Sequence, residues 1–149
     1  LHEMAGSTKV IHLHGELTKV RPEDSYTEED GFDESRIKDV NFGPVSIGDT
    51  DDRGVQYRPH IVFFGEAVPK MTDAIAELAE ADFMIIVGTS LVVQPAASLW
   101  KYTPVDCPVF VVDPKDTPID NEEGVVHIKE KATVGVAEAI RMISEMSCE

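Results

Sequence analysis

Phe83–Val87 constrains this chain more than any other stretch. Five apolar residues run without a break and stop at Gly88. Alternating polarity would mark a strand with one wet face. A continuous run closed by a turn residue marks a strand buried on both faces, the kind that parallel sheets use. Val109–Val112 repeats the pattern, and Val125–Ile128 supplies a further strand. Around them the apolar period changes to that of a helix. Pro69–Asp82 places Met71, Ala74, Ile75, Leu78 and Ala79 at helical spacing. Pro95–Tyr102 reads as a short helix with proline at its first position, and Trp100 and Tyr102 on it read as packing residues. Thr133 is placed to cap a last helix whose Val136, Ala137, Ile140 and Ile143 face the core. Strands alternating with helices mean an α/β fold with a mainly parallel sheet.

Upstream the texture differs. Lys9–Leu13 predicts a short strand running into His14-Gly15, and His60–Phe64 a strand ending at Gly65. Between them, residues 21–57 carry 11 acids against 4 bases, close to half of the whole chain's net charge of −15. Glycines and prolines punctuate this segment and no sustained period is visible. Tyr26, Phe32, Ile37, Val40, Phe42, Val45, Ile47 and Val55 are available for a small core, so it reads as an inserted module with an acidic surface.

The charge excludes a general binder of nucleic acid or anionic membrane, both of which would repel it, and favours basic ligands such as lysine-bearing peptides. No apolar run approaches the roughly 20 residues of a membrane span. The first residues have neither a basic nor an apolar signal region, and no initiator Met leads them, so no signal peptide and no natural beginning is expected. Cys107 and Cys148 are too few and too far apart for a disulfide framework, which fits a reducing cytoplasm. Cys107 reads as a small buried hydrophobe and Cys148 as part of a fraying tail.

Three places are suited to chemistry. Gly88-Thr89-Ser90 follows a buried parallel strand and precedes a helix, where backbone N–H groups favour phosphate and small hydroxyls admit a ribose; plain turn chemistry serves equally well. Asp113, ending the next strand, stands where ribose hydroxyls are often held, or simply starts a turn before Pro114. His14 ends a strand at the sheet edge, and an imidazole with a reference pKa of about 6.5 serves as a neutral base. His12, two residues earlier on the same strand face, competes with it. Phe63-Phe64-Gly65-Glu66 offers aromatics and exposed backbone at a strand end, suited to an extended peptide or to ordinary packing. His2, His60 and His127 have no partners at metal-ligand spacing, and no HExxH or CxxC motif exists, so no metal site is expected.

In order, LHEMAGS, VIHLHGEL, RPHIVFFGEAVP, ADFMIIVGTSLVVQPAASL and VVHIKEKAT resemble the sirtuin family of NAD-dependent protein deacylases, most of all its bacterial members. The resemblance implies a Rossmann-like sheet, with residues 1–17 and 58–149 as its C-terminal part and residues 18–57 as the small module. It implies His14 as catalytic base. Gly88, Thr89 and Ser90 are implied at the NAD ribose and phosphates, Asp113 at the ribose and Ala132 at the adenine. Val62, Phe64, Gly65 and Glu66 are implied as the loop that receives acyl-lysine, with Val93 opposite. NAD is then a co-substrate that carries the acyl group away on ADP-ribose as nicotinamide leaves.

Three departures accompany the resemblance. The family's small module usually holds zinc on four cysteines, whereas residues 16–57 contain none. A metal-free module held by its apolar residues is expected, and no zinc. The family's usual Asn before the proline is Asp113 here. The N-terminal half, with the glycine-rich loop and the nicotinamide pocket, has no counterpart in these residues. The chain alone is therefore expected to be inactive, with an unpaired sheet edge, until that half completes the fold. The alternatives are a non-catalytic peptide- or ADP-ribose-binding fragment, or a mono-ADP-ribosyltransferase.

Overall fold

The structure, a computed structural model, describes residues 1–146; Cys148 lies outside them. Two compact units form, Leu1–Thr72 and Asp73–Glu149.

The first unit is built on antiparallel pairing. Its elements are β1 (Gly15–Pro22), β2 (Tyr26–Thr27), β3 (Gly31–Phe32), β4 (Lys38–Asp39) and β5 (Tyr57–Ile61). β1 lies between β4 and β5. Gly15 pairs with Ile61 and Glu16 with His60; an irregularity follows, and Val20 to Pro22 resume against Pro59 to Tyr57. β1 thus continues across the boundary expected after residue 17, and its partner β5 starts at the other end of the acidic segment. The units divide between Thr72 and Asp73. The expected Lys9–Leu13 strand does not form: residues 9–12 are irregular, 13 and 14 are a turn, and the strand begins at Gly15. Tertiary pairing with β5 overrides the apolar character of Val10, Ile11 and Leu13.

The acidic segment is organised differently from expectation. None of its eight proposed core residues is buried, and Phe42 and Ile47 are exposed. Charged groups hold it instead. Arg36 lies 2.6 Å from Asp51 Oδ2 and 2.7 Å from Asp24 Oδ1. Asp51 Oδ1 accepts the Arg53 and Val55 N–H groups at 3.0 and 2.9 Å. β2 and β3 form a hairpin that sets Tyr26 against Phe32 at 5.2 Å, and Phe32 stands edge-on to His60 at 4.9 Å. The Arg36 guanidinium and the two N–H donors hold the Asp51 carboxyl below its usual range. A carboxyl with a depressed folded pKa stabilises above its unfolded value and loses that contribution as pH falls through about 4 and below. Urea midpoints measured at pH 7 and pH 3.5 should therefore fall for the natural chain, and fall less for Asp51→Asn. Equal falls would show that Asp51 contributes nothing to the acid response.

The second unit is the parallel layer. α1 (Met71–Leu78) leads into β6 (Met84–Val87), followed by β7 (Val109–Val112), β8 (Val125–Ile128) and α2 (Ala132–Met146). The sheet order is β6-β7-β8, all parallel and in step, Val87 beside Val112 and Val112 beside Ile128. Only β7 is buried along its whole length; β6 is an edge strand with Ile86 buried and Val87 exposed. The continuous apolar run of β6 predicts two covered faces, but burial here follows position, and the centre of the sheet takes it.

Period-two alternation divides β7 between two cores. Val109 and Val111 join Ile86 and Ile119, with Trp100 packed against them. Phe110 and Val112 join Ala139, with Val136, Met142 and Ile143 around them. α2 consequently presents Gly135, Val136, Ala139, Met142 and Ile143, a face turned by about one residue from the one expected. Ile140 and Ala137 face outward, and Thr133 lies inside the helix and does not cap it. Gly135 explains the turn, since a β-carbon there would sit 2.5 Å from Val112 Cγ1, so the helix approaches β7 through a residue without one. Pro95–Tyr102 forms a 3₁₀ helix over Ala96–Tyr102, and Tyr102 is exposed, not packed. Cys107 is buried, as its sequence setting predicts, and burial pushes its thiol pKa up. Among the described residues no helix is long and apolar enough to cross a membrane.

Candidate functional site

In the first unit the turn before β1 decides which histidine is available. The Gly15 N–H donates to the His12 carbonyl at 2.9 Å, and Gly15 takes φ +90° to begin the strand. His14 is left exposed, and its carbonyl accepts the Val62 N–H at 2.9 Å. That bond joins the base candidate directly to the first residue of the substrate candidate. His12 and His14 share no strand face, because no strand exists there. His12 Nε2 is engaged 2.5 Å from Glu3 Oε1 and lies 3.7 Å from Glu16 Oε1. The competitor is occupied, and His14 is not.

Beyond β5 the chain folds into a clamp. Glu66 receives Arg58 on both oxygens, at 2.6 and 3.0 Å, and also accepts the Phe63 N–H at 2.9 Å. The Glu66 N–H returns to the Phe63 carbonyl at 3.1 Å, and the Arg58 guanidinium lies 4.6 Å over the Phe63 ring. Gly65 makes the turn at φ +87°, and Phe64 is left 95% exposed. Arg58 holds the Glu66 carboxyl below its usual range. Glu66 therefore shapes this loop through its side chain, while Phe64 and the backbone beside it face solvent. Arg58 is a residue that sequence reasoning missed. It lies eight residues from Glu66, across the turn that ends β5, so no single helix or strand carries both.

In the second unit the parallel register sets Gly88 beside Asp113 at the carboxyl ends of β6 and β7. The Gly88 N–H donates to the Val112 carbonyl at 3.0 Å. Gly88 has φ +63°, with open space where a side chain would stand, and Gly88, Thr89 and Ser90 are all exposed. Thr89 Oγ1 accepts the Leu91 N–H at 3.2 Å. Asp113 Oδ1 accepts the Lys115 N–H at 2.8 Å, which leaves its second oxygen uncommitted to the turn. Ala132 is the first residue of α2, and Val93 is half-exposed, its carbonyl accepting the Ala97 N–H at 2.9 Å. Glycine turn, acid and helix start all line up at the carboxyl edge of the sheet, where open α/β folds bind ligands.

The sequence profile described as the Sir2 family matches residues 1–95. This chain belongs to the Sir2 family. An NAD-dependent protein deacylase of Bacteroides thetaiotaomicron is 39% identical over 145 residues, covering 96% of this chain and 60% of that protein. A Sir2 homologue solved with NAD superimposes with a TM-score of 0.75 at 32% identity, covering 98% of this chain and 55% of that one. A Sir2 structure holding a p53 peptide and NAD gives 0.68 at 29%, covering 100% and 60%. The chain thus spans a little over half the length of the Sir2 proteins it matches.

Two groups known from the family are tested by these residues. A dinucleotide's ribose and phosphates fit the open, hydroxyl-bearing turn at Gly88–Ser90 and the carboxylate of Asp113. Zinc on four thiolates does not fit the acidic segment of this Sir2 chain, which has no cysteine and closes on Arg36, Asp24 and Asp51 instead.

Proposed function

We propose that this chain is the part of an NAD-dependent protein lysine deacylase that carries the catalytic base and receives acyl-lysine. The observation that carries this reading is an exposed His14 imidazole on a residue whose backbone carbonyl accepts the Val62 N–H, within a Sir2 chain. NAD supplies an electrophilic ribose carbon as its nicotinamide departs. The acyl carbonyl oxygen of lysine bonds to that carbon. His14 then withdraws the proton of a ribose hydroxyl, and the freed oxygen attacks the acyl carbon. The lysine amine leaves with a proton, water adds to the acyl carbon, and the bond from that carbon to the first ribose oxygen breaks, so the acyl group ends as an ester on ADP-ribose. Gly88, Thr89, Ser90, Asp113 and Ala132 hold the dinucleotide. Val62, Phe64 and Gly65 offer an edge to the peptide, with Val93 as a further contact, and Glu66 keeps that edge in shape through Arg58.

Residues 18–57 serve as an acidic module in place of a zinc module. Together with the overall charge of −15, it draws basic tails toward the protein and repels nucleic acid and anionic membrane. Two cysteines without a framework accord with a cytoplasmic location.

The test is to extend this chain with the N-terminal segment of its Bacteroides relative, then follow nicotinamide release with an acetyl-lysine peptide and NAD. Release that requires both substrates, with O-acetyl-ADP-ribose formed in equal amount, is expected. ADP-ribose binding without any turnover would replace the deacylase reading with that of a binding module.

A further inference from the structure

The loop after β7 and the strand β8 bring together three donors that lie four and seven residues apart in sequence, a spacing no ligand motif describes. Oxygens of Asp116 and Asp120 and a ring nitrogen of His127 all lie within 4.8 Å of one another. They line a cavity of about 470 Å³. We propose that these three residues form a site for a six-coordinate divalent transition-metal cation.

The argument begins with His127, whose side chain is only 6% exposed. Its Nε2 lies 2.9 Å from the Asp113 carbonyl oxygen. A carbonyl only accepts, so Nε2 carries the proton, and in the neutral ring Nδ1 presents a lone pair. Among the described residues, that buried Nδ1 has no neighbour to satisfy it other than the Asp120 carboxylate. Asp120 Oδ2 stands 2.9 Å away. Two lone-pair-bearing atoms held this close need a cation between them, a proton or a metal ion, and the open cavity with Asp116 beside them gives a metal ion both room and a third donor.

The distance also selects the geometry. Two donors each about 2.1 Å from one ion are about 3.0 Å apart when they subtend a right angle, and about 3.4 Å apart in a tetrahedron. The observed 2.9 Å fits an octahedral edge.

The surroundings are those of metal ligands that have been oriented in advance. The Asp120 carboxylate is fixed by Thr117, whose N–H reaches Oδ2 at 3.0 Å and whose hydroxyl donates to Oδ1. His127 is fixed by the Asp113 carbonyl, as ligating imidazoles usually are by a bond at the other nitrogen. Asp116 is exposed and paired with Lys129 at 2.5 Å, so it is free to turn toward an ion while Lys129 turns to solvent. Two carboxylates balance a dication, water supplies the remaining positions, and the imidazole nitrogen favours nickel over magnesium or calcium, while manganese suits the carboxylates.

The experiment titrates the untagged, chelator-stripped full chain with NiCl₂ and with MnCl₂ by calorimetry, and repeats the Mn²⁺ titration by electron paramagnetic resonance. One ion per chain is expected, with affinity at least tenfold weaker in Asp116→Asn and in His127→Gln. Asp116 is exposed and distant from any core, so Asp116→Asn keeps the test valid if His127→Gln fails to fold. A raised thermal midpoint with metal in the natural chain, absent in Asp116→Asn, is the second readout. No binding, or affinity unchanged in Asp116→Asn, overturns the site. Equal binding of Mg²⁺ or Ca²⁺ at several sites also overturns it, because that is diffuse attraction to an acidic surface.

Discussion

Replacing His14 with alanine in the completed enzyme is expected to slow NAD-dependent deacylation by about 10²–10⁴-fold, the usual contribution of a positioned general base. Folding should be unaffected, because the imidazole is exposed and the bond to Val62 uses the backbone, which alanine keeps. The nicotinamide-release assay with saturating peptide gives the rate, and a thermal melt on the same sample gives the control. His12→Ala makes the comparison sharper. That ring is already engaged by Glu3, so its loss should leave the rate within a few-fold of the natural enzyme. A rate that survives in His14→Ala and collapses in His12→Ala would transfer the role to the other histidine.

The second large effect concerns the glycine next to it. Gly15→Ala should destabilise the first unit by roughly 2–5 kcal/mol, summing the strain of a left-handed backbone with that of overpacking. At φ +90° the new β-carbon would stand 2.1 Å from the His60 carbonyl oxygen, an atom of the backbone that β1 must pair with. Nothing there can yield without pulling β1 off β5. Gly65→Ala is the natural comparison: it has φ +87° but open space around it, so only the conformational penalty applies. Urea unfolding of the two variants should show Gly15→Ala with clearly the lower midpoint. Equal midpoints would mean that β5 moves aside at no cost. The His-Gly pair is thereby a structural unit. The glycine allows the close approach that brings the His14 carbonyl to Val62.

Much of this was legible in the sequence where the signal is local. The apolar runs of β6, β7 and β8, the glycines that close them and the helix-period stretches each depend on neighbours within a few residues. The Sir2 motifs are equally local, and two of them contain the candidates His14 and Gly88. What escaped was set by pairing between distant segments. Lys9–Leu13 reads as a strand by its own residues, yet the register with β5 starts the strand at Gly15. The eight apolar residues of the acidic segment suggested a core, but Arg36 gathering Asp24 and Asp51 organises it.

The sequence by itself determined the α/β class, the order of strands and helices from β5 onward and the family. Those follow from backbone and side-chain preferences that act over one or two turns of chain. The tertiary structure alone decided which strand is central, how α2 is rotated, which histidine is free, that Arg58 grips Glu66, and that Asp116, Asp120 and His127 meet. Each depends on strand register and on how closely two elements approach. Both are properties of contacts between remote residues, and no period along the chain records them.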